Sequence, residues 1–96
     1  MTDTEKIKYI ADHYGLSNQS MIAVEEMAEL TKCISKCKRY PAIDKRAEPY
    51  IESIREEVAD VLIMMEQLRY LLGQDEVDRI AQEKLERQMK RIEVGD

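Results

Sequence analysis

The sequence predicts an all-α protein, a helical bundle of about four helices with two long ones at its centre, which assembles with further copies of itself. Three observations predict it. Apolar residues recur at spacings of three and four along most of the chain, and nowhere do they alternate with a period of two for long enough to make a strand. The 96 residues include no Trp, no Phe and 5 Tyr, so Ile, Leu, Val, Met and Ala must fill the core, as suits helices packed on helices. A chain this short buries a modest share of its surface, so several apolar stripes require a partner copy to cover them.

The elements follow in order. Thr2 to Tyr14 reads as a short helix capped by Thr2, Asp3 or Thr4, with a stripe of Ile7, Ile10, Ala11 and Tyr14 and with Gly15 at its end. Ser17 or Asn18 can cap a second helix, whose seam is Ala23, Met27, Leu30, Ile34 and Cys37 and which ends near Tyr40-Pro41. The stretch "YPAIDKRAEP" holds both prolines and reads as the one real loop, with Pro49 in the first turn of the next helix. That third helix is the longest, with a seam of Ile51, Ile54, Val58, Val61, Met65, Leu68 and Leu72 and a stop at Gly73. A fourth runs from about Asp75 towards Glu93, with Val77, Ala81, Leu85 and Ile92 expected inward and acids in its first turn that suit its dipole. Residues 1–96 read as a single domain, since no linker or low-complexity segment divides them.

Composition excludes several classes. Charged residues make up 36% of the chain and the net charge is −5, which disfavours a nucleic-acid backbone or an anionic membrane as partner unless cations intervene. No stretch approaches the roughly 18 uncharged apolar residues of a membrane span, and "MTDTEKIKYI" lacks the order of a signal peptide. The expected location is cytoplasmic. Cys33 and Cys37 have no second Cys/His pair to complete a zinc site and read as reduced thiols. The lone His13 reads as an ordinary helix-end residue, and without Glu-x-x-His pairs a di-iron bundle is improbable.

One pattern asks for chemistry. Residues 25–30 read "EEMAEL", and residues 56–61 read "EEVADV". Acids three apart carry no weight alone: composition predicts about four such pairs, and five occur. Their place on the helix is more informative. At 100° per residue, Glu26 and Glu57 fall about 60° from the centres of their helices' apolar stripes. Glu29 and Asp60 follow one turn on, Glu25 and Glu56 point further towards solvent, and Ala28 and Ala59 leave room for a neighbouring chain. If the seams face each other, carboxylates converge at the edge of a core, where repulsion and desolvation demand protons or cations. Oxygen ligands without His or Cys select Mg2+ or Mn2+ over zinc. The alternative is a solvated acidic face.

Glu26-x-x-Glu29 followed after 27 residues by Glu57-x-x-Asp60, each preceded by a further Glu, resembles the signature of the MazG-like all-α nucleoside triphosphate pyrophosphohydrolases. "AVEEMAELTKCISK" is similar to that family's first metal helix, "IREEVADVLIMMEQL" to its second, and "KLERQMKRI" to its basic C-terminal segment. The resemblance is to its short single-domain members of bacteria and phages, and it implies a dimer or dimer of dimers that hydrolyses nucleoside triphosphates to monophosphate and pyrophosphate. Glu26, Glu29, Glu57 and Asp60 would hold Mg2+, with Mn2+ as a possible substitute. Glu25 and Glu56 would serve a further ion or accept the proton of the attacking water, or would simply be solvated. Lys84 and Arg87 match basic positions that the family uses near the phosphates, and Arg91 continues their face; an ordinary charged surface is the other reading. Lys32 and Lys36 share a side of their helix with Glu25 and Glu29 and can contact phosphates on geometry alone. No Trp or Phe is present to stack on a base, which leaves the tyrosines, Asn18 and Gln19 as weak candidates. The competing classes are a catalytically silent nucleotide binder and a helical interaction module.

Overall fold

The computed structural model describes residues 1–37 and 45–95. They form three α-helices and one short 3-10 turn: α1 (Asp3–Cys37), the turn Lys45–Ala47, α2 (Glu48–Leu72) and α3 (Gln74–Glu93). None of the described residues lies in a strand, so the fold is all-α.

The first two of the expected helices follow one another with no loop between them, so that α1 is two helical segments meeting at a kink. A reciprocal cap starts α1, with the Thr2 N–H donating to Glu5 Oε1 and the Glu5 N–H donating to Thr2 Oγ1, each at 3.1 Å. The break between the expected helices survives as a single residue, Gly15, at φ 83° and ψ 166°, a conformation open to a residue without Cβ. Asn18 does not cap a separate helix. Its Nδ2 donates to the Tyr14 carbonyl at 2.9 Å, satisfying an acceptor beside the break. The expected helix end near Tyr40-Pro41 and the first half of the expected loop lie outside the described residues. The loop's second half is helical: Lys45–Ala47 form the 3-10 turn, and α2 follows at once with Pro49 in its first turn.

The helices α1 and α2 pack as an antiparallel hairpin. Contacts run in opposite directions along the two: the Tyr70 hydroxyl donates to Asp12 Oδ2 at 2.8 Å, Gln19 Nε2 donates to Gln67 Oε1 at 2.7 Å, and Glu26 lies beside Glu57. Small residues set the separation. Ala11, Ala23 and Ala47 are fully covered, and the remaining buried positions among the described residues are Met64, Gln19 and Gln67. The expected α2 seam is not the buried face. Val58 and Leu72 are exposed and the rest of that seam is half-buried, because α1 packs on the flank that carries Met64 and Gln67.

Helix α3 departs furthest from expectation. Gly73 turns the chain at φ 104°, and Arg69 clasps the start of α3 through Nε to Asp78 Oδ1 at 2.6 Å and Nη2 to Asp78 Oδ2 at 2.7 Å. Beyond that clasp α3 leaves the hairpin. Val77 is half-buried, whereas Ala81, Leu85 and Ile92, expected inward, are all exposed. The radius of gyration, 16.7 Å, exceeds the roughly 13 Å of a compact domain of this length, as a projecting helix requires.

Candidate functional site

Midway along the hairpin, one carboxylate oxygen from each of Glu26, Glu57 and Asp60 lies within 4.8 Å of the others. The antiparallel register produces this meeting. Glu26 sits on the face of α1 that also carries the covered Ala23, while Glu57 and Asp60 are one turn apart on α2 and face it across the interface. Glu26 and Glu57 are half-buried and Asp60 is exposed. Partial burial, reinforced by the negative charges of Asp60, Glu26, Glu29 and Glu56, raises the Glu57 carboxyl above its ordinary value.

The other residues named from sequence fall around this group. Glu29 is exposed on α1 and close enough to act on Glu57, but it is not among the three converging oxygens; Glu25 and Glu56 are exposed one residue before the inner acids. Among the described residues none of these six acids makes an ion pair. Lys32 and Lys36 are exposed near the end of α1, beyond the acids, and Lys84 and Arg87 are exposed on the outlying α3. A single chain therefore does not bring Lys84 and Arg87 to the carboxylates. The amides weighed for base recognition are occupied within the chain, Gln19 by Gln67 and Asn18 by the Tyr14 carbonyl.

The donor set fits a small divalent cation. Ligand oxygens at 2.0–2.1 Å from Mg2+ lie at most about 4.2 Å apart, so the 4.8 Å group would have to draw in slightly to hold such an ion. All three donors are hard oxygens, and among the described residues none of them makes an ion pair with a cation.

Sequence reasoning missed the Gln19–Gln67 pair, the two buried polar side chains among the described residues, at 5% and 2% exposed. No signal in the sequence marks them, since glutamine on a helix reads as surface. Asp12–Tyr70 and Arg69–Asp78 were missed for the same reason: each joins positions that neither share a turn nor sit on an apolar stripe. No protein family, curated protein or solved structure matches the chain. Among the described residues no helix is long and apolar enough to cross a membrane.

Proposed function

We propose that the protein is a Mg2+-dependent nucleoside triphosphate pyrophosphohydrolase, working as a homo-oligomer, in line with the resemblance of its two acidic segments to the MazG-like family. The observation that carries this reading is the meeting of Glu26, Glu57 and Asp60 across two helices, where partial burial and the neighbouring carboxylates raise the Glu57 carboxyl above its ordinary value. Free carboxylates so placed repel one another, and a site of this kind supports a cation that a triphosphate also needs.

Glu26, Glu57 and Asp60 would hold the ion, with Glu29, whose charge acts on Glu57, as a further candidate ligand. The ion, when bound, neutralises phosphate charge and makes a bound water more acidic. The exposed Glu56 and Glu25 border the group and offer oxygens that take the proton of a water whose oxygen attacks phosphorus. The bond between α-phosphate and β-phosphate breaks, pyrophosphate leaves, and the nucleoside monophosphate keeps the new oxygen. Lys32 and Lys36, exposed on α1 beyond the acids, would help to steer an anionic substrate in.

The test is a screen of common and modified nucleoside triphosphates for Mg2+-dependent pyrophosphate release, with Glu57→Gln beside the exposed control Glu93→Gln. Release by the wild type and the control, lost in Glu57→Gln, is the expected result. Failure of the whole panel would overturn the proposal. Thermal stabilisation by metal plus a non-hydrolysable nucleotide in that event would identify a silent nucleotide binder, and its absence an interaction module.

A further inference from the structure

Two apolar stripes meet at the Gly73 corner, and neither is covered. The clasp there joins Arg69 of α2 to Asp78 of α3. Counting back from Arg69 in steps of four and three gives Met65, Leu62, Val58 and Arg55, and counting on from Asp78 in the same steps gives Gln82, Leu85, Met89 and Ile92. Such steps keep each set on one face of its helix, and an equal rise per residue puts the two sets at equal distances from the corner. Leu62 is 59% exposed, Leu85 57% and Met89 58%, and Val58 and Ile92 are exposed as well. Each half of the clasp therefore stands at the head of an open apolar stripe, and the two stripes are in register.

The space between them is already shaped. A cavity of about 420 Å³ has walls that run from Ile7 and Lys8 of α1 across Leu62 and Ile63 to Arg69 of the clasp and Gln74, the first residue of α3. Its two cations are engaged within the chain, Lys8 over the Tyr70 ring and Arg69 by Asp78 and Glu66, which leaves the apolar floor as the surface still open. At the far end of the stripes Arg55, which reaches Glu52 of its own helix at 3.0 Å, stands at the level of Ile92 and Glu93, so opposite charges would meet there. One residue connects the two helices, Gly73 at φ 104° and ψ 96°. Without a Cβ it can absorb the backbone rotation of a hinge.

We propose that α3 is an arm that closes on its own hairpin: turning about Gly73, with the Arg69–Asp78 pair as pivot, it lays Leu85 on Leu62 and Met89 on Val58 and covers the cavity. The extended arm of this structure is the open state. Closing removes four exposed apolar side chains from water and leaves the hydrogen bonds across the hairpin in place. A one-residue connection keeps the two stripes close, so little chain entropy is lost in bringing them together. Closed, the arm withdraws both stripes and the cavity from any other partner. The closure asks nothing of the acid cluster and stands apart from the proposed hydrolysis.

The test is disulfide trapping in full-length chains whose own Cys33 and Cys37 are replaced with Ser. Val58→Cys/Met89→Cys puts one thiol on each stripe, and Val58→Cys/Arg87→Cys, with its second thiol on the far side of α3, is the control. All three positions are exposed in the open state, so the variants leave the hairpin intact. Unlabelled and isotope-labelled protein are refolded together before a mild thiol oxidant is added. The facing pair should link at least about tenfold faster than the control, through its higher effective concentration, and in peptides of uniform label. Equal rates for the two pairs would mean that the arm does not close, and mixed labels that the helix of another copy fills its place; either overturns the proposal. A further variant separates attraction from chance collision. Leu62→Glu, at a side chain exposed in the open state, should slow the facing link to the control rate while the helical circular dichroism stays unchanged. An unaltered linking rate in that variant would also overturn the proposal.

Discussion

Gln19 and Gln67 face each other across the hairpin two turns from the acid cluster, and their removal has a cost that follows from the structure. The Gln19 Nε2 to Gln67 Oε1 bond is 2.7 Å long between side chains 5% and 2% exposed, and Gln67 Nε2 has only the Met64 sulfur at 3.8 Å as a further partner. Replacing Gln67 with Leu keeps volume but strands the Gln19 amide without water. An unsatisfied buried polar group costs about 1–3 kcal/mol. For a domain of this size that corresponds to a melting temperature lowered by roughly 5–20 °C. Replacing both glutamines with Leu removes the orphan along with the bond, so Gln19→Leu/Gln67→Leu should return to within about 1 kcal/mol of wild type or exceed it. Urea or thermal unfolding of wild type, Gln19→Leu, Gln67→Leu and the double variant gives the coupling directly. If Gln67→Leu alone is as stable as the double variant, the two amides are not coupled and the argument fails. The double variant should nonetheless gain less stability from Mg2+ than wild type does, since an all-apolar interface no longer penalises a slip between α1 and α2 that separates Glu26 from Glu57.

Further outcomes are expected. Glu57→Gln should abolish pyrophosphate release while leaving the metal-free melting temperature unchanged or raised, because an amide relieves repulsion as it removes a ligand. The pH dependence has a definite sign. The Glu57 carboxyl is raised above 4.5 in the folded protein, so its contribution to stability is fully present below that value and is lost as pH rises through the folded one. The metal-free melting temperature of wild type, measured against Glu57→Gln, should therefore fall on going from acid to neutral pH, and Mg2+ should reverse the fall. At Gly73 a Cβ would collide with the Glu76 side chain, and φ is 104°; the flexible glutamate can move but the backbone cannot, so Gly73→Ala should destabilise by about 1 kcal/mol in a denaturant titration. Removing the Arg69–Asp78 clasp with Asp78→Asn should leave the circular dichroism of the helices intact and broaden the range of α1–α3 distances read by paired spin labels.

Local rules carried most of the fold from the sequence. Thr2, Pro49, Gly15 and Gly73 each punctuate the chain where their backbone chemistry says they should. The end of the first expected helix was legible at Gly15, but the absence of a loop after it was not, because one residue at positive φ can break the helical path by itself. The direction of the α2 stripe was legible but its partner was not: periodicity shows which residues want cover, and a single chain covers the neighbouring flank instead. For the site, the position of Glu26 and Glu57 near the stripes foretold their half-burial. That Asp60 joins them while Glu29 stands aside depends on the hairpin register, which is fixed by the two glutamines and by Asp12 and Tyr70, contacts at sequence separations of 48 and 58.

The break at Gly15 also divides the molecule in time. Residues 3–14 hold to the far end of α2 through Ala11, the Asp12–Tyr70 bond and Lys8 above the Tyr70 ring at 5.6 Å, whereas the rest of α1 is joined to α2 by the glutamine pair and the covered Ala23. Since no continuous helical path crosses Gly15, the first arm can detach without unravelling the second, as a separate opening unit of lower free energy. Amide hydrogens of residues 6–14 should then exchange with solvent sooner than those of residues 19–30, and cation binding at the acids should slow the second group while leaving the first unchanged.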